Sequence, residues 1–176
     1  TSIERIHAHS EAGAAYMADG YARVTGRPGV CMAQIVGALN LCAGLRDAHL
    51  AKVPIIALTG GRESNHRDRW AYQEVDDMPA FAPYTKLNSV IDDPERLPDM
   101  VRQAFRMATT GSPGPVHLQL AGNTGQAIEN AEIDYDEVKD QVQEVFDYVV
   151  NEKMTNESLS VSLAKVKATN DDRYKS

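Results

Sequence analysis

The stretch Glu11-Ala-Gly-Ala-Ala-Tyr-Met-Ala-Asp-Gly-Tyr-Ala-Arg23 has the residue spacing of a helix and is rich in alanine and glycine. Small and aromatic side chains share one face of that helix: Ala12, Ala15, Tyr16, Asp19 and Ala22. Alanine on this face lets another backbone pack closely. Glu11 stands in the first turn, where the helix macrodipole favours the ionised carboxylate. It is either an acid that caps its own helix or a group presented to a ligand.

Downstream of this helix, apolar runs typical of buried strands alternate with helical patterns. The predicted strands cover 30–35, 53–59, 85–90 and 116–120. The predicted helices cover 38–51, 74–81 and 97–108, the last entered through Pro94 and Pro98. This alternation predicts parallel strands joined by right-handed crossovers. We therefore expect an α/β fold, a three-layer α/β/α sandwich with a mostly parallel sheet.

Composition divides the chain and excludes some classes of partner. The chain has 176 residues and a formal net charge of −7, and residues 1–120 are nearly balanced in charge. We therefore expect no nucleic-acid partner and no membrane surface. Cys31 and Cys42 lie in apolar runs, typical of reduced thiols in the cytoplasm. We predict a domain over 1–126, an acidic linker with an amphipathic helix (134–152) over 127–152, and a flexible polar tail over 153–176.

Candidate site residues follow the predicted strands, because ligands bind beyond the carboxyl ends of parallel strands. Gly37 would let the backbone approach a ligand, and Asn40 offers an amide near a helix start. A second loop contains Thr59-Gly-Gly61, and a third contains Trp70-Ala-Tyr-Gln-Glu74. Each residue also has an ordinary explanation: turn glycines, an Asn40 helix cap, a surface amide at Gln73, and core aromatics at Trp70 and Tyr72.

Taken together, these segments resemble a known family. They are Glu11 to Arg23, Gly37-Ala-Leu-Asn-Leu41, Val53-Pro-Ile-Ile-Ala-Leu-Thr-Gly60, Ala71-Tyr-Gln-Glu74 with Thr85-Lys86, and Gly111-Ser-Pro-Gly-Pro-Val-His-Leu-Gln-Leu120. In order and spacing they resemble the pyrimidine-binding (PYR) domain of thiamine diphosphate-dependent enzymes, and the acetolactate synthase group most. The likeness runs from Glu11 to about Gln126.

The resemblance implies a function and a set of site residues. It implies a carboligase or decarboxylase that acts on 2-keto acids with thiamine diphosphate and Mg²⁺. Glu11 matches the glutamate that exchanges a proton with the cofactor's aminopyrimidine. Gln73 matches a glutamine of the acetolactate synthase active site, and Tyr72 stands where these enzymes usually carry Phe. Gly37, Ala38 and Asn40 match the loop that shapes the cofactor site.

The chain also departs from the family pattern. Ser10 replaces the usual His before the glutamate, and Ile35-Val36-Gly37 replaces Gly-Pro-Gly, so the acetolactate assignment competes with a relative acting on another keto acid or diketone. Only ten residues precede Glu11, where family chains carry a strand-helix-strand unit. The Gly-Asp-Gly motif of the diphosphate-binding (PP) domain does not occur in this sequence. We therefore expect a PYR domain that is incomplete at its N-terminus, without the central and PP domains.

These departures predict how the chain works. Alone it should be inactive, and it should act with a PP domain on the intact parent or on a partner chain, as part of a homo-oligomer. Mg²⁺ would be held by that PP domain, and no metal ligands are assigned here. Flavin stays open, because the central domain would hold it.

Two other interpretations remain at this point. His7-x-His9-x-Glu11 could supply three ligands of a metal-dependent hydrolase, completed by His49, His66 or His117. Alternatively, the chain is a truncated, non-catalytic relative whose exposed sheet edge pairs with another chain.

Overall fold

The computed structural model describes residues 4–63, 66, 68–71, 73–122, 140 and 143. Helices and strands alternate along residues 4–122. The helices α1 to α4 cover Glu11–Thr25, Ala38–Ala51, Met78–Phe81 and Leu97–Thr109. The strands β1 to β4 cover Gly29–Ala33, Ile55–Gly60, Asn88–Ile91 and Val116–Leu120. The predicted order of elements is therefore confirmed.

Some boundaries differ from the predicted ones for local reasons. The first strand ends at Ala33, because Ile35–Gly37 form a 3₁₀ turn that leads into α2. The helix predicted at 74–81 is confined to Met78–Phe81, since Gln73 has a φ of 63° and lies outside any right-handed helix. The strand predicted at 85–90 begins only at Asn88.

The four strands form one parallel sheet in the order β1-β2-β4-β3. Alternate side chains of β2 face opposite sides of the sheet. Ile55 and Ala57 join the cluster built from α1, α2 and Phe81, whereas Ile56 joins the cluster built mainly from α4 and β4. Helices thus cover both faces of the sheet, and the predicted three-layer α/β/α sandwich is confirmed.

Small residues allow α1 to pack closely against its neighbours, as the alanine face predicts. A Cβ added at Gly44 of α2 would lie 2.6 Å from the Ala15 Cβ. Tyr16, predicted on the same face, is instead largely exposed, and its hydroxyl donates to Asp47 Oδ2 at 3.0 Å. This hydrogen bond satisfies the hydroxyl at the surface, so α1 and α2 are joined both by packing and by a polar contact.

A buried histidine ties α3 to the sheet. The Asn88 amide nitrogen donates to the Met78 carbonyl at 2.7 Å, so its oxygen faces His117 Nδ1, also at 2.7 Å. Nδ1 must therefore carry the imidazole proton, and Nε2 accepts from the Thr59 hydroxyl at 2.8 Å. The ring stacks on Phe81 with 3.7 Å between centroids. Burial lowers the pKa of His117 to about 3, so the ring is neutral.

The domain boundaries predicted at 126 and 152 lie outside the described residues. The same holds for the 153–176 tail. Within the predicted 134–152 helix only Asp140 and Gln143 are described, and both are helical.

Candidate active site

Glu11 begins α1 without having to cap it. The Ser10 side chain already accepts a hydrogen bond from the Gly13 amide at 3.1 Å, which is the usual role of an N-cap serine. The carboxylate of Glu11 is therefore available to another partner, and it turns toward α2.

That partner is Asn40, in the first turn of α2. Its Nδ2 donates to Glu11 Oε2 at 3.1 Å, so Asn40 does not act as the helix cap considered from the sequence. The pKa of Glu11 is lowered below its ordinary 4.5, first by a hydrogen bond with its own backbone amide and then by Asn40, while desolvation opposes the shift. Glu11 is therefore ionised at neutral pH.

Gly37 provides the space that Glu11 occupies. A Cβ at Gly37 would overlap Glu11 Oε1 and lie 2.6 Å from its Cδ and 2.7 Å from its Cγ. The φ of Gly37 is −93°, so any residue could adopt this backbone conformation. Glycine is required here by proximity to the carboxylate. Ala38 follows as the buried first residue of α2.

The carboxyl ends of β1, β2 and β4 lie side by side at one end of the sheet. A Cβ at Gly60 would lie 3.2 Å from the Ile35 amide nitrogen, and one at Gly61 would lie 2.6 Å from Gln119 Cγ. The loops after β1 and β2 therefore gather at one edge of the sheet, as predicted for a ligand-binding edge.

The segment after β2 carries the remaining candidates. Trp70 is 93% exposed, so its interpretation as a core aromatic is wrong. Gln73 is partly buried, and within the described residues it shares no hydrogen bond with Glu11 or Asn40. Tyr72 lies outside the described residues. The structure thus brings Glu11, Gly37 and Asn40 together.

One residue that sequence reasoning did not select is Glu74. Its side chain is only 6% exposed, and it accepts hydrogen bonds from the Asp68 and Ala71 backbone amides. An acid next to Gln73 in a charged loop gives no sequence signal of such a role, because acids there are ordinarily solvated.

The histidines proposed as metal ligands are not assembled around Glu11. Within the described residues, no three His, Cys, Asp or Glu side chains are grouped so that they could hold a metal ion. His117 instead bonds to Thr59 and Asn88. These contacts do not favour the hydrolase interpretation.

Comparison with known proteins identifies the family. Residues 1–80 match the family described as thiamine pyrophosphate enzyme, N-terminal TPP binding domain. The matched segment belongs to this family. Similar proteins include a probable acetolactate synthase large subunit of Methanocaldococcus jannaschii, 40% identical over 135 residues, and the acetolactate synthase large subunit of Corynebacterium glutamicum, 38% identical over 136. The predicted resemblance to acetolactate synthases is therefore confirmed.

These matches cover much of the chain and little of the relatives. They span 76% and 77% of this chain, but only 22% and 21% of the two relatives. Acetolactate synthase isozyme 1 large subunit of Escherichia coli is 39% identical over 129 residues, which is 73% of this chain and 23% of that protein. The chain thus corresponds to a small part of each relative. Among the described helices, none has the length and apolar character needed to cross a membrane.

Proposed function

We propose that this chain is the pyrimidine-binding part of a thiamine diphosphate-dependent carboligase or decarboxylase that acts on 2-keto acids. The observation that carries the proposal is the Glu11 carboxylate, which is ionised at neutral pH. It accepts a hydrogen bond from the Asn40 amide and lies where a side chain at position 37 would otherwise be. Such a group can exchange a proton with a ring nitrogen placed against it. When bound, thiamine diphosphate supplies a thiazolium that accepts electrons from the substrate carbon.

The residues of this chain fit one half of such a cofactor. Glu11 would hold a proton at the pyrimidine ring nitrogen, and Asn40 would keep the carboxylate oriented. Gly37 and Ala38 would border the ring, while Gln73 and Tyr72 would approach cofactor or substrate. Diphosphate needs a cation and several hydrogen-bond donors, and the described residues group no metal-binding side chains. A PP domain, on the intact parent or on a partner chain, would supply them together with Mg²⁺.

Two expectations follow for the 176-residue chain by itself. It should be catalytically inactive, and its affinity for thiamine diphosphate with Mg²⁺ should be weaker than micromolar. Isothermal titration calorimetry tests the second expectation, and micromolar binding would contradict it. We further propose that the protein forms a homo-oligomer and lies in the cytoplasm. The free thiols Cys31 and Cys42 support the second point.

Replacing the acid tests the catalytic assignment. In an assembly that turns over a 2-keto acid, Glu11→Gln should lower kcat by about a hundredfold or more, because the acid/base group is lost. Glu95→Gln is the matched control, since Glu95 is an exposed acid at the entry to α4 on the other side of the sheet. Equal rates for the two variants would remove Glu11 from the mechanism.

A second candidate function is a non-catalytic assembly module. It is favoured by β1, which ends the sheet in the described part of the chain and exposes Val30 and Met32. Such an edge can pair with another chain. An assembly that forms normally and is indifferent to Glu11→Gln would support this function instead.

A further inference from the structure

Both carboxylate oxygens of Glu74 are used within its own segment. Oε1 accepts from the Asp68 amide at 2.5 Å, and Oε2 accepts from the Ala71 amide at 3.0 Å. Arg62 Nη1 lies 3.7 Å from Oε1. An isolated ion pair at that separation contributes little, so the main contacts of Glu74 are with the backbone. The carboxylate therefore determines the shape of the segment.

That shape includes backbone conformations that side chains rarely adopt. Asp68, Trp70 and Gln73 have φ values of 63°, 53° and 63°, in the left-handed region. Such residues persist when surrounding contacts hold them there. Here the contacts are the hydrogen bonds of Glu74, whose own amide also donates to the Ala71 carbonyl at 3.0 Å. The two bonds between Ala71 and Glu74 close the turn that contains Gln73.

The same group connects this turn to the sheet. Arg62 follows β2, and its carbonyl accepts from the Gly122 amide at 3.3 Å, just beyond β4. Through Arg62, Glu74 therefore lies against the sheet edge where the loops near Glu11 also meet. The turn carrying Gln73 therefore lies beside the carboxyl ends of β2 and β4.

We propose that Glu74 is a positioning residue: by binding the Asp68 and Ala71 amides it holds the turn that carries Gln73 beside the carboxyl ends of β2 and β4. The importance of Gln73 rests on the proposed function, whereas the clasp formed by Glu74 with these two amides and Arg62 stands on the contacts alone.

Nuclear magnetic resonance of Glu74→Gln tests the clasp in the 176-residue chain. A glutamine has a similar shape, but only one oxygen that can accept. Exchange of the Asp68 and Ala71 amides should become faster by about tenfold or more, and the Gln73 side-chain resonances should shift. Glu63→Gln is the control, because Glu63 belongs to the same loop and its carboxylate lies 3.5 Å from His66 Nε2. Unchanged exchange in Glu74→Gln would overturn the proposal.

A pH titration of the unaltered chain provides a second measurement that does not depend on a variant folding. The pKa of Glu74 lies below its ordinary 4.5; desolvation is the largest influence and opposes this, but the amides of Ala71, Asp68 and Arg69 and the charge of Arg62 together outweigh it. The clasp should thus be intact above pH 4.5 and lost as the pH falls through the lowered pKa. The Asp68, Ala71 and Gln73 resonances should move together there. Independent movement would overturn the proposal.

Other charged groups belong to the same segment as Glu74. Arg62 pairs with Glu74 itself, and the loop also carries Asp68, Arg69, His66 and Glu63. Repeating the titration in Glu63→Gln distinguishes the effect of Glu74 from that of Glu63, the other carboxylate of the loop that has an ion-pair contact. If the common transition disappears in this control, Glu63 and not Glu74 controls the segment, and the proposal fails.

A kinetic measurement separates this inference from the proposed function. In an assembly that turns over a 2-keto acid, Glu74→Gln should raise KM several-fold more than it lowers kcat, since it displaces a contact residue and leaves Glu11 intact. If kcat falls by as large a factor as KM rises, the positioning role is wrong. If no thiamine diphosphate assembly exists, the proposed function fails, while the exchange measurement still decides the clasp.

Discussion

Adding one methyl group at Gly37 should displace the Glu11 carboxylate without unfolding the protein. The new Cβ would overlap Oε1 and lie 2.6 Å and 2.7 Å from Cδ and Cγ. Carbon atoms in contact are normally about 3.5–4.0 Å apart, so the carboxyl group must retreat by about 1 Å. The atoms that clash are the far end of a partly exposed side chain, which can rotate away. The urea midpoint of Gly37→Ala should therefore remain that of the unaltered protein.

The displacement should be visible in the titration of Glu11. Moving the carboxylate breaks its 3.1 Å hydrogen bond with Asn40, which helps to lower the pKa. In Gly37→Ala the pKa of Glu11 should therefore rise toward 4.5, as followed by the chemical shift of its carboxyl carbon. In an active assembly, a misplacement of this size should cost about a hundredfold in rate.

Gly20→Ala is the matched control for this substitution. Gly20 lies within α1, and a Cβ added there would have no atom within 4 Å. It should leave the pKa of Glu11 unchanged and stabilise the helix by roughly 1 kcal/mol, because glycine is a poor helix former. If Gly37→Ala titrates like the unaltered protein, the inferred contact between Gly37 and Glu11 is wrong.

Three further predictions concern packing, the site and pH. In Gly29→Ala the Cβ would lie 2.7 Å from the Ala18 carbonyl carbon, a backbone atom that cannot rotate away. Urea unfolding should therefore show a free energy of unfolding lower by about 2 kcal/mol or more, and an unchanged midpoint would contradict this. Asn40→Ala should raise the pKa of Glu11 only part of the way to 4.5 in a carboxyl titration, because the backbone hydrogen bond, the larger cause, remains; a full return would show that Asn40 is the main cause. The pKa of His117 is about 3 when folded against an ordinary 6.5, so between these values the unfolded chain binds the extra proton. Stability should fall by up to about 1.4 kcal/mol per unit as the pH drops through this window, and His117→Gln should lack that slope in urea titrations at several pH values; equal slopes would refute the buried neutral ring.

The fold could be predicted because each strand has a recognisable residue pattern within its own short stretch of sequence. In β2 both faces are buried, and residues 55–58 form a continuous apolar run. In β4 apolar residues alternate with His117 and Gln119, which is the spacing of a strand. The ends of elements were harder to predict. Ile35 is apolar and extends the run of β1 in sequence, yet it belongs to a 3₁₀ turn that packs against Gly60. Only the tertiary contact with Gly60 distinguishes the 3₁₀ turn from a continuation of the strand.

The candidate site was partly predictable for a similar reason. Glu11 and Asn40 were found because each lies at a helix start and matches a family motif. Their hydrogen bond, and the need for glycine at position 37, depend on how α1 and α2 approach each other, which no single stretch of sequence encodes. The surface position of Trp70 was likewise not predictable from residue type, because tryptophan by itself suggests a core residue.

The contact between Ala15 and Gly44 has a consequence for how the acid is placed. Ala15 lies four residues beyond Glu11, about 6 Å along the helix axis. Since a Cβ at Gly44 would force the two helices apart, this contact determines how closely α1 approaches α2. The distance between the Glu11 carboxylate and α2 therefore depends on the small residues Ala15 and Gly44, about one helical turn away from the acid itself.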